Sequence, residues 1–169
     1  RHGVAMGIKI IAALSENHVI GSEGGIPWKL PDDMKWFKEK TGTSPVLMGR
    51  KTFNSLPQKF RPLPGRENIV LTRCQNNIQN RDITTLYGFR QALERSEKED
   101  IWVIGGGNVY RQALPHASHL YLTRVDVILA GDTFFPKWSK YEWRLVSSEN
   151  HAKNARHEYS FTWEVWERK

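Results

Sequence analysis

Four short, nearly continuous apolar runs constrain this chain most: residues 8–14 (IKIIAAL), 45–49 (PVLMG), 67–72 (ENIVLT) and 101–105 (IWVIG). Each is long enough for a strand and too short for a free-standing helix. The lack of polar alternation is the pattern of a strand covered on both faces. Among them the spacing predicts helices over 31–40, 51–56, 87–96 and 108–114. Strands that alternate with helices build an α/β fold with a largely parallel sheet. The end has another period: Tyr159, Phe161, Trp163 and Val165 alternate with Ser160, Thr162, Glu164 and Trp166, as in a half-exposed strand. Residues 141–148 are its expected partner in a closing antiparallel hairpin.

With 169 residues, 39% of them hydrophobic and 25% charged, the chain suits one globular domain rather than a disordered or fibrous protein. Such a length buries roughly 70% of the surface exposed by the unfolded chain, so no metal or disulfide is needed for stability. Residues 1–5 read as a ragged start or cloning remnant before Met6, and 6–169 as the single domain. No apolar run approaches the roughly 20 residues of a membrane span, and no secretory signal opens the chain. The one cysteine, Cys74, excludes an internal disulfide framework and fits a reducing compartment, which makes the cytoplasm the expected location. Cys74 reads as a bystander just past a strand. The six histidines show no HExxH spacing, so no metal site is expected, and no GxSxG elbow supports hydrolase chemistry.

The formal net charge is +7, which first suggests an anionic partner. The whole excess lies between Lys29 and Arg81, where eleven Lys or Arg face four acids. These cations are dispersed among apolar residues, and no stripe of aromatics interleaved with them supports stacked bases, so no nucleic-acid partner is expected.

Three places carry chemistry. Ile104-Gly105-Gly106-Gly107-Asn108-Val109-Tyr110 joins a strand to a helix; glycines there let a ligand approach the backbone, although Tyr110 stands where the GxGxxG fingerprint has its third glycine. Gly49-Arg50-Lys51-Thr52 is a second strand-to-helix junction, with two cations and a hydroxyl, and Thr72-Arg73 ends the next strand. Side by side, these cationic strand ends suit a dinucleotide with an additional phosphate. Pro31-Asp32-Asp33 opens a helix; one acid would complement the helix dipole, whereas Asp33, one turn from Phe37 and next to Met34, faces an apolar cleft. A carboxylate so placed tends toward a raised pKa. Two loops interrupt the pattern, residues 16–30 (ENHVIGSEGGIPWKL) and the proline-stiffened 57–65 (PQKFRPLPG). Connections as long as the first are usually functional.

Taken in order, Ile11-Ala12-Ala13-Leu14, Val19-Ile20-Gly21, Ile26-Pro27-Trp28, Leu30-Pro31-Asp32-Asp33, Met48-Gly49-Arg50-Lys51-Thr52-Phe53, Arg61-Pro62-Leu63-Pro64-Gly65-Arg66, the run from Ile104 to Tyr110, Leu122-Thr123 and Gly131-Asp132-Thr133-Phe134-Phe135-Pro136 resemble the dihydrofolate reductase family. The resemblance spans nearly the whole chain. It implies an eight-stranded, mostly parallel mixed sheet with an antiparallel last strand and four flanking helices. It also implies NADPH-dependent reduction of 7,8-dihydrofolate to tetrahydrofolate, supporting one-carbon metabolism and thymidylate and purine synthesis. Antifolate inhibitors of the trimethoprim and methotrexate kind are the implied ligands, and a monomer the implied state.

Residue by residue, the resemblance makes Asp33 the carboxylate of the pterin pocket, Thr123 the hydroxyl beside it and Trp28 the indole that holds a water. Ile11, Ala12, Met34, Phe37, Leu56, Ile104 and Tyr110 would surround the substrate rings. Arg66 would clamp the α-carboxylate, with Lys38 and Arg61 near the glutamate tail. The cofactor would fall to Ala13, Ile20, Gly21, Gly49, Arg50, Lys51, Thr52, Leu71, Thr72, Arg73, Ile104, Gly106, Gly107, Asn108, Val109, Tyr110 and Gln112, with Arg50, Thr72 and Arg73 at the 2′-phosphate. Loop 16–30 would be a mobile lid, and the Gly105–Gly106 peptide would be cis. Two positions depart from the family: Gly24-Gly25-Ile26, where many bacterial relatives have bulkier residues and a methionine, and Asn108, often Arg or Lys. The nearest alternative, a reductase of the riboflavin pathway, should lack the combination of Asp33, Phe37, Arg66 and Thr123.

Overall fold

The computed structural model describes residues 7–21, 28–73 and 82–169. Met6, Cys74 and the Gly24-Gly25-Ile26 departure lie outside the described residues. The apolar runs form strands β1 (Ile8–Ser15), β3 (Val46–Gly49), β4 (Asn68–Leu71) and β6 (Ile101–Gly105). The helices are α1 (Pro31–Thr41), α2 (Arg50–Ser55), α3 (Phe89–Ser96) and α4 (Gly107–Ala113). Strands β5 (Ile83–Leu86), β7 (Ala117–Val125), β9 (Trp143–His151) and β10 (Phe161–Arg168) complete an eight-stranded sheet in the order β5-β4-β3-β6-β1-β7-β10-β9. Pairing is parallel from β5 through β7, and β10 runs antiparallel to both β7 and β9. Two short strands, β2 (Val19–Gly21) and β8 (Thr133–Phe134), pair separately and subdivide the long loop expected over 16–30. Among the described residues, no helix is long and apolar enough to cross a membrane.

The apolar runs are continuous because both faces of the sheet are covered. Along β1, Ile8, Ile10, Ala12 and Leu14 join Ala92 of α3 and Val109, Tyr110 and Ala113 of α4. Ile11 points the other way and packs with Trp36 of α1 and Phe53 of α2. Coverage extends to β10, which corrects one expectation. Trp166, read as solvent-facing by its alternation, is 6% exposed and packs against Trp138. Both faces of this strand therefore carry aromatics, and a two-residue period does not tell which side is wet.

Candidate active site

Brought together at the carboxyl ends of β1, β3, β4 and β6 is a cleft of about 1260 Å³. Single-ligand sites run to roughly 300–1,000 Å³, so the cleft has room for two ligands side by side.

One half is apolar around a single carboxylate. Ile11, Ala12, Met34, Phe37, Leu56 and Ile104 line it, and Trp36, Leu63 and Ser55 join them. Pro31 starts α1, and the first turn sets Asp33 on the same helical face as Trp36 and Phe37. Asp33 Oδ1 accepts from Thr123 Oγ1 at 2.5 Å and from Trp163 Nε1 at 2.9 Å. Among the described residues nothing donates to Oδ2. Burial raises the pKa of Asp33, while the Thr123 and Trp163 hydrogen bonds and the charge of His157 oppose the rise. Tyr110 is buried under the cleft floor, donates to the Ile11 carbonyl at 2.8 Å and stays protonated, because burial raises its pKa strongly.

The other half is cationic and glycine-lined. Gly49 and Leu71 are register partners on β3 and β4, so Arg50, Lys51 and Thr52 stand beside Thr72 and Arg73 along one wall. Among the described residues, Arg50, Lys51 and Arg73 have no carboxylate partner. Gly105 to Val109, Gln112, Ala13, Ile20 and Gly21 line the same cleft. Gly105 has φ +141°, a conformation side chains avoid, and its peptide bond to Gly106 is cis. A Cβ on Gly106 would stand 3.1 Å from Thr52 Oγ1, and one on Gly107 3.0 Å from Thr133 Cγ2, so a side chain at either position would crowd these threonines.

Four expected site residues are not on the cleft wall. Trp28 is half-buried and packs on the Leu30, Val125 and Phe161 cluster. Lys38 lies with its ammonium 5.8 Å over the Phe60 ring. Arg61 gives its guanidinium to the carbonyls of Asn54 and Leu56 at 2.6 Å each, making it a strut for the loop before the cis Arg61–Pro62 bond. Arg66 donates to Thr41 Oγ1 and to the Pro64 carbonyl at the rim, and partial desolvation lowers its pKa. Its loop is fixed by the buried amide of Asn68, which accepts from Leu63 N–H at 2.8 Å and donates to the Leu63 and Arg66 carbonyls.

Sequence reasoning passed over Trp163, which reaches Asp33 from behind the cleft lining, and Tyr87, Gly88, Phe89, Arg111, Asp132, Thr133 and Phe134, which line the cleft. For Trp163 the signal is pairing: it is the direct cross-strand partner of Thr123. The Gly131-to-Pro136 motif could have pointed to the β8 residues.

Fold and cleft define a class: an open α/β protein that takes its ligands at the carboxyl ends of parallel strands, with an anion-binding half and an apolar half around one carboxylate. The family model of dihydrofolate reductase matches residues 7–168. A dihydrofolate reductase from Buchnera aphidicola (subsp. Acyrthosiphon pisum) is 38% identical over 165 residues, covering 96% of this chain and 100% of the relative. That of Bacillus subtilis is 36% identical, covering 96% and 95%. Among solved structures, the dihydrofolate reductase from Enterococcus faecalis complexed with NADP(H) and RAB-propyl superposes with a TM-score of 0.88, at 33% identity and 98% coverage of both chains. The chain belongs to the dihydrofolate reductase family, whose members are oxidoreductases.

Proposed function

We propose that the protein reduces 7,8-dihydrofolate to tetrahydrofolate with NADPH, and that Asp33 is the group on which substrate recognition and protonation turn. The observation that carries this reading is the Asp33 carboxylate, held through Oδ1 with Oδ2 free of donors among the described residues, in an apolar cleft. A carboxylate oxygen facing the cleft matches the amino and N–H edge of a pterin, which fixes which ring face meets the cofactor. Burial raises its pKa, which favours its holding a proton to pass toward the ring nitrogen, by way of a water beside Trp28. Thr123 holds the carboxylate and has lone pairs left for the substrate amino group. The apolar walls exclude water and sandwich the rings.

The cationic half fits NADPH: Arg50, Lys51 and Arg73, with no carboxylate partner among the described residues, offer charge for the diphosphate and the 2′-phosphate, and the side-chain-free backbone of Gly106 and Gly107 lines the same cleft. When bound, NADPH supplies the hydride. Ala13, Ile20, Gly21 and Tyr110 orient the nicotinamide end, and Leu71, Thr72, Asn108, Val109 and Gln112 line the remainder. Arg66 receives the glutamate tail of the substrate, with Lys38 and Arg61 as further candidates for it. The reading includes action as a monomer, and the single cysteine supports a cytoplasmic setting. Antifolates that present a similar amino edge would compete at Asp33.

The test is to mix protein, NADPH and 7,8-dihydrofolate and follow the fall of nicotinamide absorbance. Asp33→Asn should lower hydride transfer at pH 7 by about 10²–10⁴-fold while NADPH binds within about twofold of the parent. Turnover by the variant at the parental rate would refute the role of Asp33, and no turnover by the parent would refute the substrate.

A further inference from the structure

We propose that Trp163 is a positioning residue for the reaction: its indole N–H, working with the Thr123 hydroxyl, pins Oδ1 of Asp33 and so turns Oδ2 to the substrate. The proposal rests on the reading of Asp33 as the substrate-facing carboxylate. It starts from the β7–β10 ladder, in which Thr123 and Trp163 are direct partners and present adjacent donors on one face of the sheet. The first turn of α1 lowers Asp33 onto that face. Both donors meet the same oxygen, at 2.5 and 2.9 Å. A carboxylate oxygen has two lone-pair positions, so Oδ1 is filled by protein, and a ligand must use Oδ2 and the Thr123 hydroxyl.

The indole is held in that pose. Trp36, one helical turn after Asp33, stacks on it at 5.1 Å with an interplanar angle of 4°. From β9 the His151 ring lies 4.1 Å away, and Phe161 packs at 5.6 Å. A donor clamped between two rings acts as a fixed dipole, which is how a preorganised site orients a charge without reorganising. Trp163 does not line the cleft and acts through Asp33.

The hydrogen bond favours the ionised carboxylate, so its loss should make Asp33 hold a proton more tightly. Other charged or titratable groups near Asp33 are Asp32, which is paired with Arg156 and next to His157, and, behind the Trp163 ring, His151 with Glu149 at 2.6 Å. Arg124 and Glu164, neighbours in sequence of Thr123 and Trp163, pair with each other instead.

The experiment compares the parent, Trp163→Phe, which keeps the stacked ring and removes the N–H, and Trp166→Phe, whose indole donates to Glu164 away from the cleft. In ligand-free protein, 13C NMR of the Asp33 carboxyl should show the titration midpoint rising by about one pH unit in Trp163→Phe. It should be unchanged in Trp166→Phe. The pH profile of single-turnover hydride transfer should move the same way, with the NADPH dissociation constant unaltered. An unmoved Asp33 midpoint in folded Trp163→Phe overturns the proposal. In the parent, the 15N–1H resonance of the Trp163 indole should follow the Asp33 titration, and a resonance indifferent to it also overturns the proposal, whether or not the variant folds. The NMR arms need no turnover, so a parent inactive on dihydrofolate would refute the reductase reading alone.

Discussion

At the scale of the residue, Asp33 shows how a site is maintained against stability. The folded protein raises its pKa by burial, so the native state binds this proton more tightly than the unfolded chain does. Stability contributed by this group is therefore highest below the ordinary carboxylate pKa, falls as pH rises through the window up to the raised value, and stays lower above it. Asparagine imitates the neutral acid and can still accept from Thr123 and Trp163. Asp33→Asn should melt higher than the parent at pH 7, with the gain shrinking as pH is lowered toward about 4, the ordinary carboxylate range. Calorimetry across pH checks this, and a gain that grows in acid would contradict the burial argument.

At the scale of the element, loops are tied to the sheet by few groups. Asn68, at the start of β4, satisfies one N–H and two carbonyls of the loop that carries Arg66. Asn68→Ala would leave these part-buried groups without this partner, at about 1–3 kcal/mol measured by urea unfolding, and should raise the Michaelis constant for dihydrofolate more than it lowers kcat. Elements also show what was legible in advance. The apolar runs in β1, β3, β4 and β6, and the helices after them, carry their own signal because both sheet faces are covered, and their ends shift by only one or two residues. Strand β7 carries no continuous apolar run, since His119, Tyr121 and Arg124 break its pattern even though Leu120 and Leu122 are fully buried. Strands β2 and β8, of three and two residues, are too short to show a period. The placement of Asp33 was legible from the local helix start, whereas Trp163 reaches it only through strand register, a property of two segments at once.

At the scale of the whole molecule, charge is sorted. Lys9, Arg95, Arg144 and Arg168 are engaged by carboxylates away from the cleft, while Arg50, Lys51 and Arg73 line it without one among the described residues. The net +7 is thus partly a field at the cleft mouth rather than a uniform coat. Stopped-flow measurement should show the NADPH association rate falling several-fold between about 0.01 and 0.15 M salt, as the screening length shrinks from about 30 to about 8 Å. A rate indifferent to salt would deny the field a role in capture. The chain also assembles its carboxylate from distant places, since residue 33 meets residue 123 and residue 163. During synthesis the helix bearing Asp33 leaves the ribosome long before β10 exists, so a nascent chain has the acid without its second donor until β10 is laid into the sheet.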